Sequence, residues 1–243
     1  MTCMSKYASW YTLTLASLRH ALAEHSISLP PPAITSLMHS YDSLSVWPDV
    51  PGGLKSLSEQ QSRLAAYVFS NGTLDMVSAS VENSEGLKEW SGSSSSSSSS
   101  SGSAAGSTRK GLFRDLVTVD KINGVSAAGP DTYLDGSRRA FKPARCVYEG
   151  LLSAVHADGD RSEDEELKSV KMSDMWLVTS NPFDVVGALN AGMKAAWVDR
   201  GGKGWIDGLA HVTGFEGPTF VAKGIEEVVE KIAQWDDTDE KRS

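Results

Sequence analysis

The sequence predicts an α/β fold in which a parallel sheet is covered by helices on both faces. Two patterns carry this expectation. Short apolar runs of strand type, at 64–69, 175–179 and 195–198, alternate with amphipathic helical segments. Polar residues stand directly after those runs, as in Phe69-Ser70-Asn71-Gly72-Thr73 and Val178-Thr179-Ser180-Asn181-Pro182-Phe183-Asp184. In such sheets ligands bind beyond the carboxyl ends of the strands, so these residues are the first candidates for a site.

Along the chain, 7–25 reads as an amphipathic helix, with Leu15, Leu18 and Leu22 at helical spacing. Three consecutive prolines break it at 30–32, and 34–41 is a second short helix. Pro48 and Pro51 mark a loop before a helix at 54–61. The strand at 64–69 is followed by a helix over 74–81 with Asp75 in its first turn, where a carboxylate suits the helix dipole. Nine consecutive serines lie within a low-complexity stretch at 91–107 that has no apolar surface to bury. Order resumes at 112–120. A Gly-, Ser- and Asp-rich stretch at 123–139 and a charged one at 156–173 read as two further exposed insertions, with a helix beginning at 145 between them. The strand at 175–179, a helix over 184–191 closed by Gly192, the strand at 195–198 and a last helix at 225–235 complete the pattern.

Bulk properties narrow the function classes. A chain of 243 residues, 40% hydrophobic and 22% charged, is of globular composition. A net charge of -8 disfavours nucleic acid, whose phosphates it would repel. No run of about 20 apolar residues could span a bilayer. Two cysteines, Cys3 and Cys146, make neither a disulfide framework nor a metal cluster, so a reducing, cytoplasmic compartment and no cofactor are the expectation.

The segment from Asn181 to Ala188, with Ala191-Gly192-Met193-Lys194-Ala195-Ala196-Trp197-Val198 after it, resembles the last motif of type II 2-haloacid dehalogenases of the haloacid dehalogenase superfamily. Residues 41–49 resemble the stretch leaving that family's helical cap, 69–81 its second core motif, and Phe141-Lys142-Pro143 with Tyr148 its third. The resemblance runs from about residue 7 to 235, interrupted by the three insertions. It implies a Rossmann-like core over 47–243 and a partial helical cap over 1–46. It also implies a small-molecule substrate, a 2-haloalkanoic acid whose halide is displaced by an aspartate carboxylate and whose ester is then hydrolysed by water.

By that resemblance Lys142 neutralises the nucleophile and the substrate carboxylate, and Asp184 holds the lysine. Thr179 and Asn181 help orient the hydrolytic water. Ser70 and Asn71 bind the substrate carboxylate, and Tyr148, Phe183 and Trp10 line the pocket. Each residue also has a plainer role: Ser-Asn-Gly-Thr is an ordinary strand-to-helix turn, Asp184 a helix N-terminal acid, and Tyr148 a core tyrosine. Phosphatases of the superfamily carry an acid where this chain has Ser180, a poor ligand for Mg²⁺. That favours metal-independent dehalogenation.

The family's nucleophile, in a hydrophobic-Asp-x-x-Gly-Thr turn, occurs nowhere in the sequence. The resemblance implies that the first core strand, which carries this turn, is missing, along with the cap arginine that receives the halide. Its neighbours would be left with open edges and the chain would be prone to aggregate. Two alternatives stay open: a non-catalytic binding or scaffold homologue, and a small-molecule phosphatase. Relatives of this type commonly dimerise, which leaves a homodimer open.

Overall fold

The computed structural model describes residues 7–91, 111–124, 139–208 and 210–235. The stretches expected as insertions at 91–107 and 123–139 fall almost wholly outside these residues. The first helices are α1 (Trp10–Glu24), α2 (Pro31–His39) and α3 (Val50–Glu59). They lead into β1 (Ala66–Ser70), α4 (Leu74–Asn83), β2 (Phe113–Thr118) and the short α5 (Val119–Ile122). After them come α6 (Arg145–Ser162), α7 (Glu165–Ser169), β3 (Trp176–Thr179) and α8 (Pro182–Ala191). The described chain closes with β4 (Lys194–Val198), β5 (Phe220–Ala222) and α9 (Ile225–Ala233).

All strand pairs are parallel, as expected, but they form two sheets. One pairs β1 with β2, Val68 opposite Leu116 and Ser70 opposite Thr118. The other has the order β3-β4-β5, with Val178 opposite Ala196 and Val198 opposite Ala222. A single core cluster joins them: Val117 of the first sheet and Leu177 and Ala195 of the second pack with Tyr148 and Leu151 of α6 and Val185 and Ala188 of α8. The opposite face of the second sheet buries Ala196, Val198 and Ala222 against Val228 of α9. Each inward strand face is thus covered by a helix, as parallel sheets require.

Local chemistry explains the helix ends. Thr73 caps α4, its hydroxyl accepting from the Met76 amide at 3.3 Å. Pro182 occupies the first turn of α8, where its missing N–H costs nothing, and Gly192 ends that helix at φ 91°. The same preference for proline in the first turn corrects two expectations. The helix expected at 34–41 begins earlier, with Pro31 and Pro32 in its first turn, and Pro51 lies inside α3 instead of in a loop. The charged stretch at 156–173 is also no simple exposed insertion. α6 continues through it to Ser162, burying Asp158 and Gly159, and α7 buries Leu167. β5 is three residues long, too short to show in the hydrophobic pattern. α1 buries no residue and α2 only Met38.

The α6–α8 contact depends on a side chain that is absent. A Cβ on Gly187 would lie 2.3 Å from the Tyr148 hydroxyl and 2.8 Å from Pro143 Cβ. Replacing Gly187 by alanine should therefore cost about 1–3 kcal/mol through overpacking, more than the ~1 kcal/mol of helix propensity it adds. Gly52→Ala in α3, where the nearest atom is Glu226 Oε2 at 3.6 Å, should be neutral or slightly stabilising. Urea denaturation midpoints of the two variants check the contrast.

Candidate active site

The carboxyl ends of β1 and β3 converge on one buried ion pair. Lys142 Nζ lies 2.8 Å from Asp184 Oδ2, and both side chains are under a tenth exposed. The same ammonium donates to the Phe69 carbonyl at 3.2 Å and stands 4.5 Å from the centre of the Phe69 ring. Tyr148, fully buried, donates its hydroxyl to Asp184 Oδ1 at 2.9 Å. Both Asp184 oxygens are thereby satisfied, which is what a buried carboxylate needs. The Tyr148 ring packs edge-on against Phe69 at 5.5 Å.

Two turns frame the pair. Asn71 Oδ1 accepts from the Lys142 amide at 3.1 Å, fixing the backbone that launches the lysine. Ser70 Oγ accepts from the Gly72 amide at 3.0 Å. The Lys142–Pro143 peptide is cis. On the β3 side, Thr179 Oγ1 accepts from the Asn181 amide at 3.0 Å. Asn181 precedes α8 without capping it by its side chain, and is exposed.

The structure therefore brings Lys142, Asp184, Tyr148 and Asn71 into direct contact, with Ser70, Thr179 and Asn181 on the flanking turns. Phe183 and Trp10 are less engaged. Phe183 is 44% exposed at the start of α8. Trp10, 39% exposed, meets Phe141, the neighbour of Lys142, at 5.8 Å.

No model of a known protein family matches the sequence. Haloacetate dehalogenase H-2 of Moraxella sp. (strain B) is 24% identical over 219 residues, 90% of this chain and 73% of that one. The L-2-haloacid dehalogenase from Xanthobacter autotrophicus, solved with chloropropionic acid covalently bound, superposes with a TM-score of 0.62 at 21% identity. That match covers 97% of this chain and 80% of that one. A dehalogenase solved as an intermediate complex gives 0.63 at 18% identity, over 96% and 77% of the two chains. The chain has a haloacid-dehalogenase-like fold.

Within this dehalogenase-like fold, three features escaped the sequence reading. Asp120, just beyond β2, accepts a hydrogen bond from the Tyr7 hydroxyl, while the Tyr7 ring stacks on Phe141 at 4.8 Å. Phe69 contributes its carbonyl and ring to Lys142. Arg200, beyond β4, grips Asp49 through Nε at 2.7 Å and Nη2 at 2.9 Å, and donates from Nη1 to Ser180 Oγ at 2.9 Å. The signal was available for two of them: Asp120 and Arg200 are polar residues directly past apolar runs, where strand-end sites lie.

Burial pushes the hydroxyl pKa values of Tyr148, Tyr7 and Tyr67 up, and the carboxylates of Asp184, Asp120 and Asp158 respectively push them further. Burial opposes ionisation of Asp49 and Asp158. Hydrogen bonds outweigh it, from Arg200 and the Ile225 amide to Asp49 and from Arg114 and Tyr67 to Asp158, so both carboxyls fall below their ordinary range. A raised folded-state tyrosine contributes stability that is present below pH about 10 and lost as pH rises beyond it. A depressed aspartate contributes stability that is present above pH about 4 and lost as pH falls. Denaturation midpoints against pH should form a plateau with both flanks falling. On the alkaline flank the tyrosinate absorbance of these three residues should appear together with unfolding. Stepwise ionisation in the folded protein would contradict this.

Lys142→Ala strands Asp184 in the interior and should cost about 3–5 kcal/mol. Asp184→Asn, which leaves the ammonium buried without its counter-charge, should cost a similar amount. A double-mutant cycle with both changes checks that the two losses are one interaction.

Proposed function

We propose that the chain is a cytoplasmic, dehalogenase-like hydrolase whose Lys142 corner receives the carboxylate of a 2-haloalkanoic acid. The observation that carries this reading is the Lys142 ammonium, held by Asp184 and the Phe69 carbonyl at the mouth between two parallel sheets. The match to a haloacetate dehalogenase and the likeness to L-2-haloacid dehalogenases support the substrate class.

In this reading Lys142 supplies the positive charge that holds the substrate carboxylate beside the attacking aspartate carboxylate, which the resemblance assigns to a turn that this sequence does not contain. Asp184 and Tyr148 keep the ammonium in place. Ser70 and Asn71 lie on the turn nearest the substrate carboxylate, and Thr179 and Asn181 face the water that completes hydrolysis. Phe183 and Trp10 offer apolar surface to the alkyl chain. Ser180 supports a metal-independent reaction: its hydroxyl, a poor Mg²⁺ ligand, donates to the Val198 carbonyl at 2.9 Å and accepts from the Arg200 guanidinium. Among the described residues no helix is long and apolar enough to cross a membrane.

A second reading is favoured by one observation. Asp184, the carboxylate at the centre of the cluster, is committed to Lys142 and Tyr148, which suits a support better than a nucleophile. The corner would then bind small carboxylates without turning them over.

Chloride release from 2-chloropropionate by the full chain tests the first reading. Release should fall at least about 100-fold in Lys142→Ala, the scale of losing one charge-stabilising donor, and should be indifferent to chelators. Saturable binding of 2-chloropropionate without chloride would establish the second reading instead. Mg²⁺-dependent hydrolysis of a phosphate monoester would replace both.

A further inference from the structure

The turn between β3 and α8 carries Thr179 and Asn181 and is held chiefly from outside. Asn181 is exposed and makes no side-chain cap on α8, while its amide donates to Thr179 Oγ1 at 3.0 Å. Beyond the turn, Asp184 is fixed by Lys142 and Tyr148. At its near end stands Ser180, whose hydroxyl donates to the Val198 carbonyl and accepts from Arg200 Nη1, both at 2.9 Å.

We propose that Arg200 is a positioning residue for the Lys142 corner, holding the Ser180–Asn181 turn in place only while Asp49 fills the other side of its guanidinium. A guanidinium is planar, so two fixed nitrogens set the direction of the third. Asp49 accepts from Nε at 2.7 Å and from Nη2 at 2.9 Å, and this two-point grip leaves Nη1 aimed at Ser180. The two side chains are 21% and 23% exposed, so water screens the pair only in part.

Asp49 is itself anchored. Its Oδ2 also accepts from the Ile225 amide at 3.0 Å, and Gly224 leaves room for it, since a Cβ there would lie 3.0 Å from Asp49 Cβ. The backbone of Arg200 is held through its neighbour. Asp199 donates its amide to the Ala222 carbonyl at 2.8 Å, and its carboxylate accepts from the Lys203 and Gly204 amides at 3.2 and 2.6 Å. Trp47 covers one face of the guanidinium, its ring centre 5.4 Å from the central carbon. These ties come from the segment before α3, the start of α9 and the end of β4, through residues that make no hydrogen bond to Lys142. Lysine could not replace Arg200, because a point charge meets Asp49 or Ser180 without fixing both in one plane. The effect of Arg200 on turnover rests on the substrate reading given above, whereas its hold on the turn does not.

Amide hydrogen exchange and chloride release from 2-chloropropionate, both with the full chain, test this role. Asp49→Asn and Arg200→Lys should each speed exchange over 180–185 by about tenfold or more and leave 66–70 within about twofold. Asp49 does not touch the turn, so adding Asp49→Asn to Ser180→Ala should speed exchange there no further. Chloride release at saturation should fall about tenfold in either variant, with the half-saturating concentration changed less than about twofold, because Lys142 is undisturbed. Unchanged exchange at the turn would overturn the proposal. So would equal acceleration at 180–185 and 66–70, or additive effects of Asp49→Asn and Ser180→Ala, which would make the ion pair a stabiliser of the whole fold. An unaltered chain that releases no chloride would end the hydrolase reading alone, and the exchange contrast would then decide the role of Arg200.

Discussion

The Lys142 ammonium and the Asp184 carboxylate are withdrawn from water together, and much of the architecture exists to make that tolerable. Neither charge could be buried alone. Tyr148 must come from α6 to take the second carboxylate oxygen, so α6 and α8 must approach closely, which Gly187 permits. Phe69 must end β1 with its carbonyl towards the ammonium, so the Ser70–Asn71 turn is tied to the Lys142 amide. One ion pair thereby fixes the relation of two helices, two sheets and two turns.

A second tie performs the same task on the outer side. Asp49, which precedes α3, accepts both the Arg200 fork and the Ile225 amide at the start of α9. Gly53 lets α3 lie against Ile225, since a Cβ there would fall 2.3 Å from the Ile225 side chain. Trp47 adds its ring 5.4 Å from the guanidinium. Arg200 in turn holds Ser180, so the turn that carries Asn181 is anchored from outside by the segment leaving the first helices.

Much of this is legible in the sequence. The strand runs and helix caps were visible because hydrophobic periodicity and cap chemistry are local: Thr73 at the start of α4 and Gly192 at the end of α8 declare themselves within a few residues. The residues around Lys142 were legible as a set because four short motifs occur in one order. What stayed hidden is non-local. Tyr7 meets Asp120 across 113 positions and Asp49 meets Arg200 across 151, and no window of sequence records either pairing. Open strand edges were expected from the resemblance, but strand character alone does not say which edges find partners. Proline misled in two places because it breaks a helix interior yet opens a helix well, and sequence alone does not say which side of the boundary it occupies.

The division into two sheets also orders assembly. β3, α8, β4, β5 and α9 follow one another within one stretch of chain, and their contacts close small loops. β1 and β2 must meet across the intervening α4 and the serine-rich stretch, and the Asp49–Arg200 tie closes a loop larger than either sheet spans. Loop closure costs entropy before distant contacts repay it. The carboxyl-terminal sheet is thus the natural nucleus, and the first sheet with its buried lysine is the part that condenses onto it.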